Sequence, residues 1–140
     1  MAEVLDEYMQ YVIDMDFEDD NGTSKRQQLM QVLESTPENS VTHQTALERL
    51  SEAPELPFYL EHIWNWFWEL NSRRTSNGFS QNPISWADFG FWNYLKQRQA
   101  TPLEIEILET MDRLYLKYTA KKAKKDSKHG NIPAKKPKKR

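Results

Sequence analysis

Residues 54–70 read Pro54-Glu-Leu-Pro-Phe-Tyr-Leu-Glu-His-Ile-Trp-Asn-Trp-Phe-Trp-Glu-Leu70. The second proline suits the first turn of a helix, where its missing N–H would have no partner in any case. Apolar residues then recur at helical spacing through Ile63, Phe67 and Leu70, which predicts a helix over about 58–71. The apolar surface is wider than the stripe of a helix with one solvent face, so we expect this helix to be central to the fold.

All five tryptophans of the chain fall within residues 64–92. An aromatic side chain buries about 150–250 Å² and contributes strongly to cores and interfaces. Trp64, Trp66 and Trp68 alternate along one helix and therefore cannot all lie on the same face. We expect Trp66 to join Phe67 in the core, and we expect Trp64 and Trp68 to contact a partner protein, because tryptophan is enriched at interface hot spots.

Further helices follow from the same periodicity and from helix-start signals. Ser24, Ser85 and Thr101 each stand three residues before an acid or amide, which is the spacing of a capping box. No segment alternates convincingly as a strand does. The predicted fold is therefore all-α, a small helical domain of about five to six helices with a disordered basic C-terminal tail. The additional helices are predicted over about 2–15, 24–33, 42–50, 86–98 and 102–118.

A loop over residues 72–84 separates the two tryptophan-bearing helices. It is long for a compact domain, and we therefore expect it to be either functional or mobile. In the helix that follows the loop, apolar residues recur at three-residue spacing. We expect this series to be buried, and it comprises Trp86, Phe89, Trp92 and Leu95.

Charge is distributed unevenly along the chain. Residues 117–140 hold eleven of the 19 Lys and Arg residues against one acid, so they carry about +10 and residues 1–116 carry about −12. After about Lys121 no apolar pattern remains to offset the entropy of ordering, which predicts disorder. The predicted divisions are an acidic N-terminal helix and linker (1–22), a helical domain (23–119) with a Trp-rich core (54–116), and a disordered Lys-rich tail (120–140).

The chain offers few residues for catalysis or for a cofactor. There is no cysteine, and the three histidines, His43, His62 and His129, lie in three different segments. No Gly-rich phosphate loop or nucleophile elbow occurs. We therefore expect no enzymatic activity, no cofactor and no metal. No window approaches the roughly 18 apolar residues of a membrane helix, and the acidic N-terminus does not resemble a signal peptide, so we expect a protein without membrane contact that stays in the cytoplasm.

The basic tail supports an alternative function. Its lysines are able to bind phosphate backbones, which makes a small nucleic-acid-binding or regulatory protein the alternative interpretation. The acidic body of the chain would repel phosphates from the folded part, which makes this alternative less favourable. The residues expected to contact nucleic acid in that case are Lys121, Lys122, Lys124, Lys125, Lys135, Lys136, Lys138, Lys139 and Arg140.

Four segments of the chain together resemble parts of one known protein family. Residues 54–70, with Pro-Glu-Leu-Pro followed by Trp-Asn-Trp-Phe-Trp-Glu-Leu, resemble the most distinctive part of that family. Asn-Pro-Ile-Ser-Trp at 82–86 and the helix that starts Thr-Pro-Leu-Glu, over 101–116, resemble two later parts. Residues 23–29 match an earlier part faintly. The family is that of the tail assembly chaperones of long-tailed bacteriophages. The resemblance covers about residues 54–116, and this Trp-rich part is similar to the frameshift-extension type of these chaperones.

The resemblance implies a function in virion morphogenesis. It implies a non-enzymatic chaperone that binds the tape-measure protein, the tail-tube protein or both during tail assembly, and self-association is a further expectation. Such a protein works in the bacterial host cytoplasm and is absent from the mature virion. A structural subunit that stays in the virion is a further interpretation left open by the sequence. The expected partner contacts are Trp64, Trp68, Arg73, Arg74, Phe79, Asn82, Pro83, Ile84 and Trp86.

Overall fold

Helices provide nearly all the regular structure of the computed structural model, which describes the backbone of residues 1–135 and the side chains of residues 1–125. In this described part the only β pairing consists of two isolated bridges, so the prediction of an all-α fold is confirmed. A short 3-10 turn, Phe58–Leu60, leads into the fourth helix. The helices are α1 (Ala2–Asp16), α2 (Lys25–Ser35), α3 (Val41–Ser51), α4 (Glu61–Asn71), α5 (Trp86–Lys96) and α6 (Pro102–Lys135).

At the predicted helix starts, side chains form hydrogen bonds with the backbone of the first turn. The Oγ of Ser85 accepts a hydrogen bond from the N–H of Asp88, whose carboxylate accepts one from the N–H of Ser85, and the two residues form a capping box. Ser24 and Gln27 form the equivalent pair at α2. Each box satisfies two backbone donors that a helix otherwise leaves unpaired.

The chain divides into two compact units. Unit 1 consists of residues 1–9 and 56–117, and unit 2 consists of residues 10–55 and the chain from Tyr118 onward. The divisions fall within helices α1 and α6, so both helices contribute residues to each unit.

The core of unit 1 is built on the face of α4 that the sequence predicts. Ile63, Phe67 and Leu70 are buried, and Phe67 has no exposed surface. Complete burial of a side chain of this kind stabilises a fold by about 1.5–3 kcal/mol. Leu108 and Met111 of α6 are also completely buried in this unit. The remaining buried apolar residues of unit 1 are Leu5, Met9, Leu60, Ile84, Phe89, Trp92, Ile107 and Tyr115.

Unit 2 has a smaller core. Its buried apolar residues are Ile13, Met15, Ala46 and Tyr118, and α2 contributes no buried residue from within its own span. Helices α2 and α3 form a hairpin, in which the Oγ1 of Thr36 lies 3.1 Å from the Nδ1 of His43.

Helix α6 continues beyond the apolar pattern that predicts its start. Lysine and alanine have high helix propensities, which favours continuation of the helix after Tyr118 through the Lys/Ala run at 120–125. The helix is described as far as Lys135, inside the segment 120–140 that the sequence predicts to be a disordered tail. Residues 136–140, and the side chains from 126 onward, lie outside the described part of the chain, and the predicted disorder stays a prediction for them.

Candidate partner-binding surface

Helix α5 packs into unit 1 through one face only. Phe89 and Trp92 are buried, as predicted. The prediction that Trp86 and Leu95 are also buried is wrong, because they are 80% and 74% exposed. Successive residues of a helix are rotated by about 100°, so the inward face of α5 is filled by Phe89 and Trp92 and the three-residue series rotates away from the core on either side of them.

The outward face of α5 is apolar as well. Trp86, Phe91, Tyr94 and Leu95 are between 67% and 80% exposed. Gly90 lies on the same face, and a side chain there would meet no atom within 4 Å. A helix that is apolar on all sides is normally buried, and contiguous exposed apolar surface is typical of interaction sites. We call this surface, formed by Trp86, Ala87, Gly90, Phe91, Tyr94 and Leu95, the α5 apolar face.

Three of these residues were not among the predicted partner contacts. Phe91, Tyr94 and Leu95 belong to the α5 apolar face, whereas the sequence predicted only Trp86 as a contact in this helix. The signal that identifies them is present in the sequence, because almost every residue from 86 to 95 is apolar or small. Such a helix has more apolar surface than one core contact is able to cover.

An open groove of about 390 Å³ lies beside this face, between the end of α4, the loop 72–84 and α5. Phe91 and Leu95 form one wall, and Pro83 and Ile84 of the loop contribute to the other. Charged side chains also line the groove, among them the exposed residue Arg73. This volume falls in the range of about 300–1,000 Å³ that is typical of ligand sites, and the wall chemistry suits an apolar segment.

A buried ion pair holds the loop 72–84 in place. The guanidinium of Arg74 donates a hydrogen bond to the carboxylate of Asp112 in α6, and both side chains are almost completely buried. The second oxygen of Asp112 accepts a hydrogen bond of 3.0 Å from the backbone N–H of Ile84. Arg74 also donates to the backbone carbonyl of Asn82, at 2.8 Å. Asp112 therefore fixes both ends of the loop.

Aromatic and amide groups extend this network. The guanidinium of Arg74 lies 4.6 Å from the ring centroid of Tyr115, in cation–π geometry. The hydroxyl of Tyr115 donates to the side-chain oxygen of Gln81, at 3.0 Å. The predicted contact residues Arg74, Asn82 and Ile84 are thus brought together, and in this structure they shape the loop that borders the groove.

A second network fixes α5 against α4. The indole N–H of Trp92 donates a 2.8 Å hydrogen bond to one carboxylate oxygen of Glu69, and Arg98 pairs with the other oxygen. The hydrogen bond from Trp92, followed by that from Arg98, lowers the pKa of Glu69 below its ordinary value. The charged carboxylate is therefore the form that joins α4, α5 and the segment after α5.

Residues 42–117 match the model of a protein family described as phage tail assembly chaperone. The matched region is more than half of the chain. The chain belongs to the phage tail assembly chaperone family. No curated protein and no solved structure matches it. The family resemblance predicted from the segments between residues 54 and 116 is thereby confirmed, and protein partners in tail assembly follow from membership of this family.

The matched region includes both networks and the α5 apolar face. Two of the segments that carry the family resemblance meet in the structure, since the backbone N–H of Ile84, in segment 82–86, donates a hydrogen bond to Asp112, in segment 101–116. The segments of this chain that resemble the family therefore include residues that hold the loop 72–84 in place. The lysine-rich segment after Lys117 lies outside the matched region.

Trp64 and Trp68, the other predicted contacts in α4, form part of a stack of aromatic rings. The ring of Trp64 packs edge-on against Tyr8 and Trp68, with centroid distances of 4.8 and 5.5 Å. Trp68 also packs against Tyr115, at 5.9 Å. Both tryptophans are half-buried. Trp66, which was predicted to be core, is half-buried too and packs against Trp92, at 5.4 Å.

The predicted contact Phe79 lies at the tip of the loop and is almost fully exposed. The turn beneath it is fixed by Asn77, whose side-chain oxygen accepts hydrogen bonds from the N–H groups of Phe79 and Ser80. Gly78 supplies the positive φ of 94° that this turn requires. A hydrogen-bonded turn thus presents an exposed aromatic ring.

The part of the chain that the structure describes bears on two other features, metal sites and membrane spans. It contains no cluster of three or more His, Cys, Asp or Glu side chains arranged to hold a metal ion. None of its helices combines the length and the apolar character needed to cross a membrane.

Proposed function

We propose that this protein is a non-enzymatic tail assembly chaperone that binds the tape-measure protein, the tail-tube protein or both while the phage tail is built. It acts in the host cytoplasm and is absent from the mature virion. The observation that carries the proposal is the α5 apolar face, where four large apolar side chains are more than two-thirds exposed within the family-matched region.

The chemistry of this surface suits an apolar helical partner. Aromatic and branched side chains at helical spacing form the kind of surface that receives an amphipathic helix. The groove beside the α5 apolar face makes this surface concave. Phe91 and Leu95 belong to the face and also line the groove. A chaperone that covers such a partner helix would keep its apolar stripe from water and so keep it from aggregating.

The buried networks support the proposal by making the surface rigid. Arg74 and Asp112 hold the loop that forms one wall of the groove, and Glu69 holds α5 through Trp92. A surface that is ordered before binding loses less conformational entropy when the partner arrives. We assign Arg74, Asn82 and Ile84 this supporting role, and we assign direct contact to Trp86 and Pro83 with the exposed residues of α5.

The proposal is tested by co-expression of the chain with the tape-measure protein and, separately, with the tail-tube protein of the same phage. The measured quantity is the soluble fraction of each partner and its co-purification with the chain. We expect a soluble complex with at least one of them. The double variant Phe91→Ser/Leu95→Ser should lose most of that complex, because it removes two large apolar contacts.

The matched control is the double variant Phe58→Ser/Leu103→Ser. Phe58 and Leu103 are 83% and 58% exposed in the same unit and lie outside the α5 apolar face. This control should keep the complex. If both variants lose it equally, or if no partner becomes soluble with the unmodified chain, the proposal is wrong. Mass spectrometry of purified virions separates a chaperone from a structural subunit, which would be present there.

A further inference from the structure

Unit 2 contains an open cavity of about 480 Å³ that is lined by lysines from two different helices. Lys25 comes from the start of α2, and Lys121, Lys122 and Lys125 come from α6. We propose that this cavity binds a phosphate group. The proposal concerns a site outside the family-matched region of α6 and does not depend on the proposed chaperone function.

The lysines of α6 face the cavity because of their spacing. Tyr118, Lys121, Lys122 and Lys125 are separated by three, four and seven residues and therefore lie on one side of the helix. Lys124 belongs to the same basic run and does not line the cavity. The helix therefore places three of its lysine side chains at the cavity. In a disordered tail, no lysine would be favoured over another.

The carboxylates near these lysines leave an excess of positive charge. Asp14 and Asp19 are the two acids that line the cavity, against four lysines. The carboxylate of Asp14 pairs with the ammonium group of Lys25, at 3.4 Å. The Nζ of Lys122 lies 3.5 Å from the backbone carbonyl oxygen of Asp14, so its charge is not offset by that contact.

The carboxylate of Asp19 already accepts hydrogen bonds from residues close to it in the sequence. One of its carboxylate oxygens accepts hydrogen bonds from the backbone N–H groups of Asn21 and Thr23, at 2.9 and 3.1 Å. The other accepts one from the side chain of Gln28, at 3.4 Å. This carboxylate therefore holds the turn before α2 instead of pairing with the lysines of α6.

The resulting site has the features of a phosphate pocket. Lysine ammonium groups bind phosphate as point charges with three donors each. Thr23 and Gln28 add polar groups to the lining, while Ile13 and Tyr118 provide an apolar wall. The volume is larger than one phosphate needs, so the ligand is either a small molecule that carries a phosphate or a stretch of nucleic-acid backbone. Both present the same phosphate oxygens to the lysines.

The experiment measures binding of inorganic pyrophosphate to the full chain at low salt by calorimetry. Lys125→Glu should weaken binding by about tenfold or more, because one favourable contact becomes repulsive. Lys124→Glu has the same charge change one residue away, and it should weaken binding by no more than about twofold. Asp14→Asn removes one of the two carboxylates and should tighten binding.

A second ligand, compared with pyrophosphate, distinguishes the source of the phosphate. A single-stranded DNA oligonucleotide that shows the same contrast between the two lysine variants supports the site with nucleic acid as its ligand, and a contrast with pyrophosphate alone supports a small ligand. Equal weakening by Lys125→Glu and Lys124→Glu overturns the proposal in favour of diffuse attraction to the basic segment. Absence of binding to both ligands, or equally tight binding of poly-glutamate, overturns it too. Circular dichroism of each variant establishes that the helices are retained.

Discussion

The carboxylate of Asp112 accepts a hydrogen bond from the guanidinium of Arg74, and the two side chains are only 8% and 4% exposed. Truncation of Asp112 to alanine would leave the buried guanidinium without its counter-charge. Loss of one partner of a buried ion pair costs about 3–5 kcal/mol, so we expect Asp112→Ala to lower the free energy of unfolding by about that amount. Chemical denaturation followed by tryptophan fluorescence measures the change.

Arg73 provides the control for this prediction. It precedes Arg74 in the sequence and has an exposed side chain. Arg73→Ala should change the free energy of unfolding by no more than about 0.5 kcal/mol. A loss of less than about 1 kcal/mol in Asp112→Ala would show that the pair contributes little to holding the loop.

The pKa of Glu69 leads to a prediction about pH. Its hydrogen bond from Trp92 and then that from Arg98 lower the pKa in the folded state. A lowered pKa stabilises the fold above the unfolded-state pKa of about 4.3, and this contribution is lost as pH falls through the lower folded-state value. We expect the difference in the free energy of unfolding between the unmodified chain and Glu69→Gln to shrink as the pH falls from about 6 to about 3.

The variant Trp92→Phe identifies the cause of that shift. It removes the indole donor and keeps an aromatic ring in the core, so the pKa of Glu69 should rise toward its ordinary value. Titration of the Glu69 carboxyl carbon by NMR measures it directly. An unchanged pKa would mean that Arg98, and not Trp92, dominates.

The aromatic residues of α4 differ in their expected effect on folding. Phe67 is completely buried, and Phe67→Ala should cost about 3–5 kcal/mol through lost burial and the cavity that remains. Trp64 and Trp68 are half-buried, so each alanine substitution should cost less than Phe67→Ala. Thermal and chemical unfolding of the three single variants tests the order. Equal destabilisation by all three would mean that Trp64 and Trp68 act as core residues, and their assignment as partner contacts would then be wrong.

Local signals in the sequence predict much of this fold. The capping pairs at Ser24 and Ser85 and the buried face of Ile63, Phe67 and Leu70 follow from spacing within one turn or two of helix. Such signals depend only on residues that are near in sequence. They are therefore available before any tertiary structure is known.

Contacts between distant segments could not be predicted in the same way. Arg74 and Asp112 are 38 residues apart, and neither residue alone indicates that the other is its partner. The exposure of Trp86 and Leu95 has a related cause, because periodicity identifies apolar positions but not how many neighbours are available to cover them. The lysine cavity depends on the position of α6 beside α1 and α2 within unit 2, and composition alone gives only a basic run.

The α5 apolar face leads to a last prediction, that the chain self-associates when it has no partner. Exposed apolar surface of this kind promotes association, and a salt such as sulfate strengthens it. Sedimentation at increasing protein concentration should show weak association that Phe91→Asp reduces. The exposed position of Phe91 means that this variant should keep its stability to within about 0.5 kcal/mol. Phe58→Asp makes the same chemical change on another exposed ring and should leave association unchanged, so an equal effect of both variants would assign the association to net charge and not to α5.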